Sequence, residues 1–175
     1  MIPNEQYLKK HLLARRMLQM GFVASIIAIE TGLSNKPIST LRRVLIDDGL
    51  IPSRVQRSER MPQTLLKTRH ILENASLFIQ TYAQLAGRDN ATRSVNLEAV
   101  ITAFDLYRKM TFEIDRQEKR PFSINDAYSF ARSLRDGSAY ISSCSCGCEY
   151  YSSIYSEISQ TCPFCKVSQG LKKIG

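Results

Sequence analysis

The chain has 175 residues, enough for one compact domain or two small ones, and its 24 lysines and arginines against 16 acids give a formal charge of +8. Hydrophobic residues make up 43 %, which excludes wholesale disorder. The absence of tryptophan and the presence of only two histidines, His11 and His70, argue against histidine-base catalysis and a His-rich metal site. No apolar run approaches the roughly 20 residues of a membrane span. No charged-then-apolar leader opens the chain, so the expectation is a basic, globular, cytoplasmic protein.

Residues 1–51 read as helices. Leu8, Leu12, Leu13, Met17, Leu18 and Met20 recur at helical spacing and predict a half-buried first helix closed by Gly21. A second helix is expected over 22–30, then a tight turn at Thr31-Gly32-Leu33-Ser34. Ser34 is placed to cap a third helix, with Pro37 in its first turn and Ile38, Leu41, Val44 and Leu45 as its apolar side, ending near Asp47-Asp48-Gly49. Residues 23–46 therefore fit a helix-turn-helix, which needs a small residue where the helices touch, a residue tolerating positive φ in the turn and an apolar anchor. Ala28, Gly32 and Ile38 supply these. The third helix then turns Asn35, Lys36, Ser39, Thr40, Arg42 and Arg43 outward as candidate contacts to phosphates and base edges, with Arg42 and Arg43 foremost. The competing reading is an ordinary helical hairpin with a solvated polar side. Lys9, Lys10, Arg15 and Arg16 read as a solvated helix face.

Residues 52–64 hold Pro52, Pro62, Arg54, Arg57 and Arg60 with few large apolar side chains, a basic connector. Arg54 and Arg57 are candidate phosphate or minor-groove contacts, or simply solvated. Residues 65–137 form a helical region, the expected partner-binding part. Helices are predicted over 63–86, 97–110 and 123–135, the last capped by Ser123 and closed by Gly137, with a loop at Gly87-Arg88-Asp89-Asn90. His11 and His70 read as helix residues, not ligands. Glu113, Asp115 and Glu118 among Arg116, Lys119 and Arg120 read as a solvated, mixed-charge stretch.

Residues 138–175 form a Cys-rich tail. Tyr140-Ile141, Tyr150-Tyr151, Ile154-Tyr155 and Ile158 predict short strands. All five cysteines lie here, and their odd number and clustering favour a metal over a disulfide framework. Cys162-Pro163-Phe164-Cys165 is a C-x-x-C knuckle. Its counterpart, Cys144-Ser145-Cys146-Gly147-Cys148, offers three thiols for two places: Cys144 with Cys146, followed by Gly147, or Cys144 with Cys148. Four thiolates with no open position describe one structural Zn²⁺. With few large aliphatics in the tail, the metal is expected to supply its folding free energy. A C-x-x-C redox pair and an iron–sulfur cluster are the rival readings. No phosphate loop, nucleophile elbow or paired carboxylates mark an enzyme.

Several stretches in order carry a family resemblance: Ile29-Glu30-Thr31-Gly32-Leu33-Ser34, Asn74-Ala75-Ser76-Leu77-Phe78, Ala99-Val100-Ile101-Thr102-Ala103-Phe104-Asp105-Leu106-Tyr107, Tyr140-Ile141-Ser142-Ser143-Cys144, and the distal C-x-x-C. Together they span nearly the whole chain, which resembles the FlhC family, the C subunit of the bacterial flagellar master transcriptional activator. The resemblance implies a mostly α fold with an N-terminal helix-turn-helix and a small zinc ribbon with short strands. It implies a DNA-binding subunit that joins a D-type partner in a heterohexamer of four D and two C subunits, binds promoter DNA and activates transcription through RNA polymerase. FlhC-like subunits also occur on conjugative elements, where they switch on transfer genes. The family's zinc is held by two C-x-x-C pairs. By resemblance Cys162 and Cys165 form the distal pair and Cys144 is the first proximal ligand; Cys146 matches the second if one residue is deleted, with Cys148 as the alternative. A zinc-stabilised protein–protein adaptor without DNA contact is the alternative function.

Overall fold

The computed structural model describes residues 5–53, 59–111 and 122–165. The chain divides into two units, Met1–Arg60 and Met61–Gly175.

The first unit contains α1 (Glu5–Gln19), α2 (Ala24–Thr31) and α3 (Asn35–Asp47). Ala14, Met17 and Leu18 of α1 meet Phe22, Val23, Ile26 and Ile27, and Ile38 and Leu45 of α3 complete the core. The apolar stripe expected along α1 is only partly buried: Leu8 and Leu12 are exposed by more than half. At 1.5 Å per residue α1 is about 22 Å long and α2 about 12 Å, so α2 cannot cover all of its partner. Between α2 and α3 the chain reverses at Gly32, whose φ of +66° lies in the left-handed region and whose N–H donates to the Ala28 carbonyl at 2.9 Å. Thr31 tightens the turn, donating to the Ile27 carbonyl at 2.6 Å and accepting from the Leu33 N–H at 3.2 Å. Ser34 occupies the N-cap position of α3, but its side chain is exposed and makes no cap bond.

The second unit holds α4 (Pro62–Leu65), α5 (Arg69–Ala86), α6 (Arg88–Ala91), α7 (Leu97–Thr111), α8 (Ile124–Arg135), β1 (Ala139–Ser143), β2 (Glu149–Ser153) and a 3-10 turn at Glu157–Gln160. The single helix expected over 63–86 is two: Leu66 leaves helical geometry, and Thr68 caps a new start by accepting from the Ile71 N–H at 3.3 Å. The connector predicted to run to residue 64 accordingly ends earlier, with Pro62 and Leu65 of α4 buried. Of the loop expected at residues 87–90, residues 88–90 instead wind, with Ala91, into one helical turn after Gly87. Helices α7 and α8 stand where the sequence puts them. The mixed-charge residues 113–120 lie outside the described residues, as do Arg54 and Arg57.

Helix α8 is central. Its expected apolar side, Ile124, Ala127, Tyr128, Ala131 and Leu134, is buried, and so are Asn125, Asp126, Ser129, Phe130 and Ser133 on the rest of its surface. Polar residues tolerate such burial when they are bonded, as Asp126 and Ser133 are, whereas the Ser129 hydroxyl has no hydrogen-bond partner among the described residues. Asp126 completes a capping box, accepting from the Ser123 N–H at 2.7 Å, and its charge sits at the favourable end of the helix dipole. Ser133 shares a hydrogen bond of 2.7 Å with the Tyr151 hydroxyl. Around Phe122 the rings of Phe78, Phe104, Tyr107 and Phe130 lie 4.7–6.1 Å away, centroid to centroid, and Tyr151 of β2 joins edge-on to Phe130 at 5.3 Å.

The strands β1 and β2 pair antiparallel, from Ala139 opposite Ser153 to Ser143 opposite Glu149. Ile154, Tyr155 and Ile158, expected in strands, instead lie in a turn and the 3-10 segment. Serine side chains cause this: Ser159 Oγ accepts from the Ser153 N–H and Ser152 Oγ donates to the Ser159 carbonyl, both at 2.8 Å, pulling the chain back on itself. Phe122→Ala should destabilise this unit by about 3–5 kcal/mol, the cost of emptying a packed aromatic site. Phe122→Leu should cost clearly less. Denaturant unfolding of both variants measures the difference.

Candidate metal centre

After β1 the chain closes a tight loop. The Gly147 N–H donates to the Cys144 carbonyl and the Cys144 N–H to the Cys148 carbonyl, each at 2.9 Å, and Gly147 has a φ of +85°. This is a three-residue hairpin loop, a turn followed by a left-handed glycine, and it explains why glycine follows Cys146. It lifts the Cys146 side chain, exposed at the tip, toward the distal knuckle.

There the sulfurs converge. The ligand atoms of Cys144, Cys146 and Cys162 all lie within 4.8 Å of one another, and Cys146 Sγ is 3.8 Å from Cys162 Sγ. All five thiols are free. A disulfide would bring sulfurs to about 2.05 Å, whereas a tetrahedral ZnS₄ centre with Zn–S bonds of about 2.3 Å has S···S edges of about 3.8 Å. The donor set thus fits a soft, tetrahedral metal ion. Backbone N–H groups are already aimed at it: those of Phe164 and Cys165 point at the Cys162 sulfur, and that of Cys148 at the Cys146 sulfur. Cys165 and Cys148 are half-buried beside this trio.

The two halves of the cluster, 16 residues apart at their closest sulfurs, are carried by one helix. Arg69 at the start of α5 donates through Nε to the Pro163 carbonyl at 2.8 Å, through Nη2 to the same oxygen, and through Nη2 to the Cys165 carbonyl at 3.1 Å. Two turns on, Ser76 Oγ accepts from the Tyr151 N–H at 3.1 Å, and one turn further Gln80 donates to the Glu149 carbonyl. Arg88 closes the row with a paired contact to the Glu149 carboxylate at 2.7 and 2.5 Å, which holds that carboxyl below its usual range. Being exposed, this last pair adds little stability and is screened by salt. Sequence reasoning misses all of these anchors. Their signal is a set of polar residues at i, i+7 and i+11 that interrupts the apolar periodicity of α5.

These bonds hold the tail on α5 through its backbone. Tyr151 is fully buried in the aromatic cluster, and burial raises its hydroxyl pKa.

Of the other candidates, Asn35, Lys36, Ser39, Thr40 and Arg43 are exposed on α3. Arg42 differs. It is half-buried and donates to the Phe22 carbonyl at 3.5 Å, so part of its role is to hold α3 against the loop between α1 and α2. Ser39, Arg42 and Arg43 border a depression of about 200 Å³ floored by Ala24, Ile38 and Ile46. Arg54 and Arg57 lie outside the described residues. Both histidines lie on helices: His11 is half-buried, its ring 4.3 Å from that of Tyr7, and His70 is exposed. Among the described residues no helix is long and apolar enough to cross a membrane. Compared with known proteins, the chain matches no protein-family model and no curated protein sequence.

The thiols differ in acidity. The Cys148 N–H, followed by the Cys144 thiol, holds Cys146 down to about 7, while burial pushes Cys162 up to about 11. Alkylation requires the thiolate and accelerates as pH rises through the pKa. In metal-free protein Cys146 should reach half its maximal iodoacetamide reactivity near pH 7 and Cys162 only near pH 11. Peptide mass spectrometry across a pH series reads both.

Proposed function

We propose that this chain is a zinc-containing, DNA-binding subunit of a transcriptional activator, similar to the FlhC family. In this reading it acts with a D-type partner, in a heterohexamer of four D and two C subunits by resemblance, at promoter DNA and through RNA polymerase, and switches on flagellar or conjugative-transfer genes. The observation that carries the DNA contact is the outward row of α3: five exposed polar and basic side chains on a helix anchored from behind by Ile38 and Leu45 and preceded by a left-handed glycine turn. Such a helix presents donors at the spacing a major groove accepts. Charge supports it. Residues 1–60 contain ten lysines and arginines against five acids, so this third of the chain holds +5 of the total charge of +8.

The metal in this reading is one structural Zn²⁺ held by Cys144, Cys146, Cys162 and Cys165, with Cys148 as the alternative to Cys146. All coordination places are taken by sulfur, which leaves none for substrate. The work of the site is mechanical: it ties the hairpin tip to the distal knuckle on the surface of α5. The helical middle, residues 65–137, is then the surface for the D-type partner.

Electrophoretic shift over a salt series tests the DNA contact. Binding should weaken with salt, and each phosphate contact removed should flatten the log–log slope by about 0.9. Arg43→Ala should weaken the shift and leave thermal unfolding unchanged, because its side chain is exposed. Arg42→Ala should lower both, since it also loses the Phe22 contact. Adding the partner should tighten binding. A chain that shifts no DNA at any salt, alone or with the partner, is the adaptor of the alternative reading.

A further inference from the structure

We propose that Cys146 and Cys148 are interchangeable ligands for one position of the metal centre, which therefore holds five sulfurs for four places. The proposal rests on the zinc reading above. Two geometric features carry it. First, Cys144 and Cys148 continue the β1–β2 register by one step beyond Ser143 and Glu149, joined by the hydrogen bond from the Cys144 N–H to the Cys148 carbonyl at 2.9 Å. Residues directly opposite on paired strands carry their side chains on the same face, with Cβ atoms about 4.5–5.5 Å apart. The Cys148 sulfur thus shares a face with the first ligand, and both residues open onto one groove of about 570 Å³ with Phe164 of the distal knuckle. Second, Cys146 reaches the same centre from the loop tip, with its sulfur 3.8 Å from that of Cys162.

The Cys148 thiol lies within electrostatic reach of Cys146, Cys144 and Cys165, just outside the trio of Cys144, Cys146 and Cys162 whose sulfurs all stand within 4.8 Å of one another. Between the two candidates stands only Gly147, which adopts a φ of +85° without a Cβ and has open space around it. A small rotation of this loop exchanges one sulfur for the other while Cys144, Cys162 and Cys165 stay in place. The expected consequence is a centre that keeps its metal when either thiol is lost to alkylation or oxidation.

Metal stoichiometry of the purified full-length chain tests this, with Zn²⁺ as the probe and Co²⁺ titration to follow thiolate coordination. The wild-type chain should hold one zinc. Cys146→Ser and Cys148→Ser should each retain one equivalent, with affinity reduced by about tenfold or less. The double variant should lose stoichiometric metal, as should Cys162→Ser. A wild-type chain without zinc removes the zinc reading itself, whereas a Cys162→Ser variant that keeps its metal uses Cys146 and Cys148 at once and overturns their assignment to a single position. A zinc-bound wild-type chain with loss of metal in either single variant leaves that reading standing and overturns interchangeability, as does a double variant that keeps its metal. A measurement without any variant guards against misfolding. Alkylation of the zinc-loaded wild type should modify one cysteine per chain, divided between Cys146 and Cys148. Modification confined to one of them overturns the proposal.

Discussion

One face of helix α5 holds the cysteine-rich segment by its backbone, and the arrangement of the thiols depends on it. Arg69 takes the carbonyls of Pro163 and Cys165, Ser76 takes the Tyr151 N–H, and Gln80 takes the Glu149 carbonyl. These bonds reach main-chain atoms, so they fix the path of the chain whatever the side chains do. A hydrogen bond from a charged donor contributes about 1.5–3 kcal/mol, which makes Arg69 the strongest of the three. Its guanidinium sets the distal knuckle opposite the hairpin tip, and only then do Cys144, Cys146 and Cys162 come within 4.8 Å. A metal ion bound there meets sulfurs already gathered, and less of its binding energy goes into ordering the chain.

Behind α5 lies the reason this face is stable. Helix α8 is buried on nearly every side, with α5, α7 and β1 packed around it. Its buried polar side chains include Asp126, bonded at the cap, and Ser133, bonded to Tyr151. A further buried pair, the Tyr107 hydroxyl donating to Asn74 at 2.8 Å, links α7 to α5. Breaking such a bond is costly, because the remaining partner is left buried without water, and these bonds select one arrangement of the helices over near alternatives. Tyr151 then connects the aromatic cluster to β2, three residues from Cys148. The core and the cysteine cluster are joined within one compact unit through Tyr151. A metal bound in this setting would act on a hairpin also held by hydrogen bonds with α5 and by the burial of Tyr151.

In the first unit the same logic is simpler. A glycine in left-handed geometry and a threonine bonded to both sides of the turn set α3 after α2, and Ile38 and Leu45 fix which face of α3 is hidden. What remains outside is mostly polar, with Lys36 and Arg43 basic and Asp47 acidic, but it includes Val44, expected on the apolar side and 47 % exposed. Arg42 is drawn inward to the Phe22 carbonyl. Neighbouring arginines on one helix thus have different duties, one structural in part and one left for solvent or ligand.

The sequence alone determined the helices with strong periodicity and clear punctuation: α2 and α3 around Gly32, α7, and α8 between Ser123 and Gly137. It also singled out the five cysteines as one chemical group, because soft donors spaced so closely in an odd number suit a metal better than paired bridges. Local patterns reach no further than a few residues along the chain. They did not reveal that Leu8 and Leu12 lie exposed, that the helix over 63–86 breaks at Leu66, or that Ile154 and Ile158 leave the sheet for a serine-bonded turn. The tertiary structure decided those points, along with the burial of α8's polar side and the use of Arg69, Ser76 and Gln80 as anchors. In each case the deciding partner lies outside the local pattern: burial and hydrogen bonding depend on which surface arrives opposite, and periodicity records only which surface is offered.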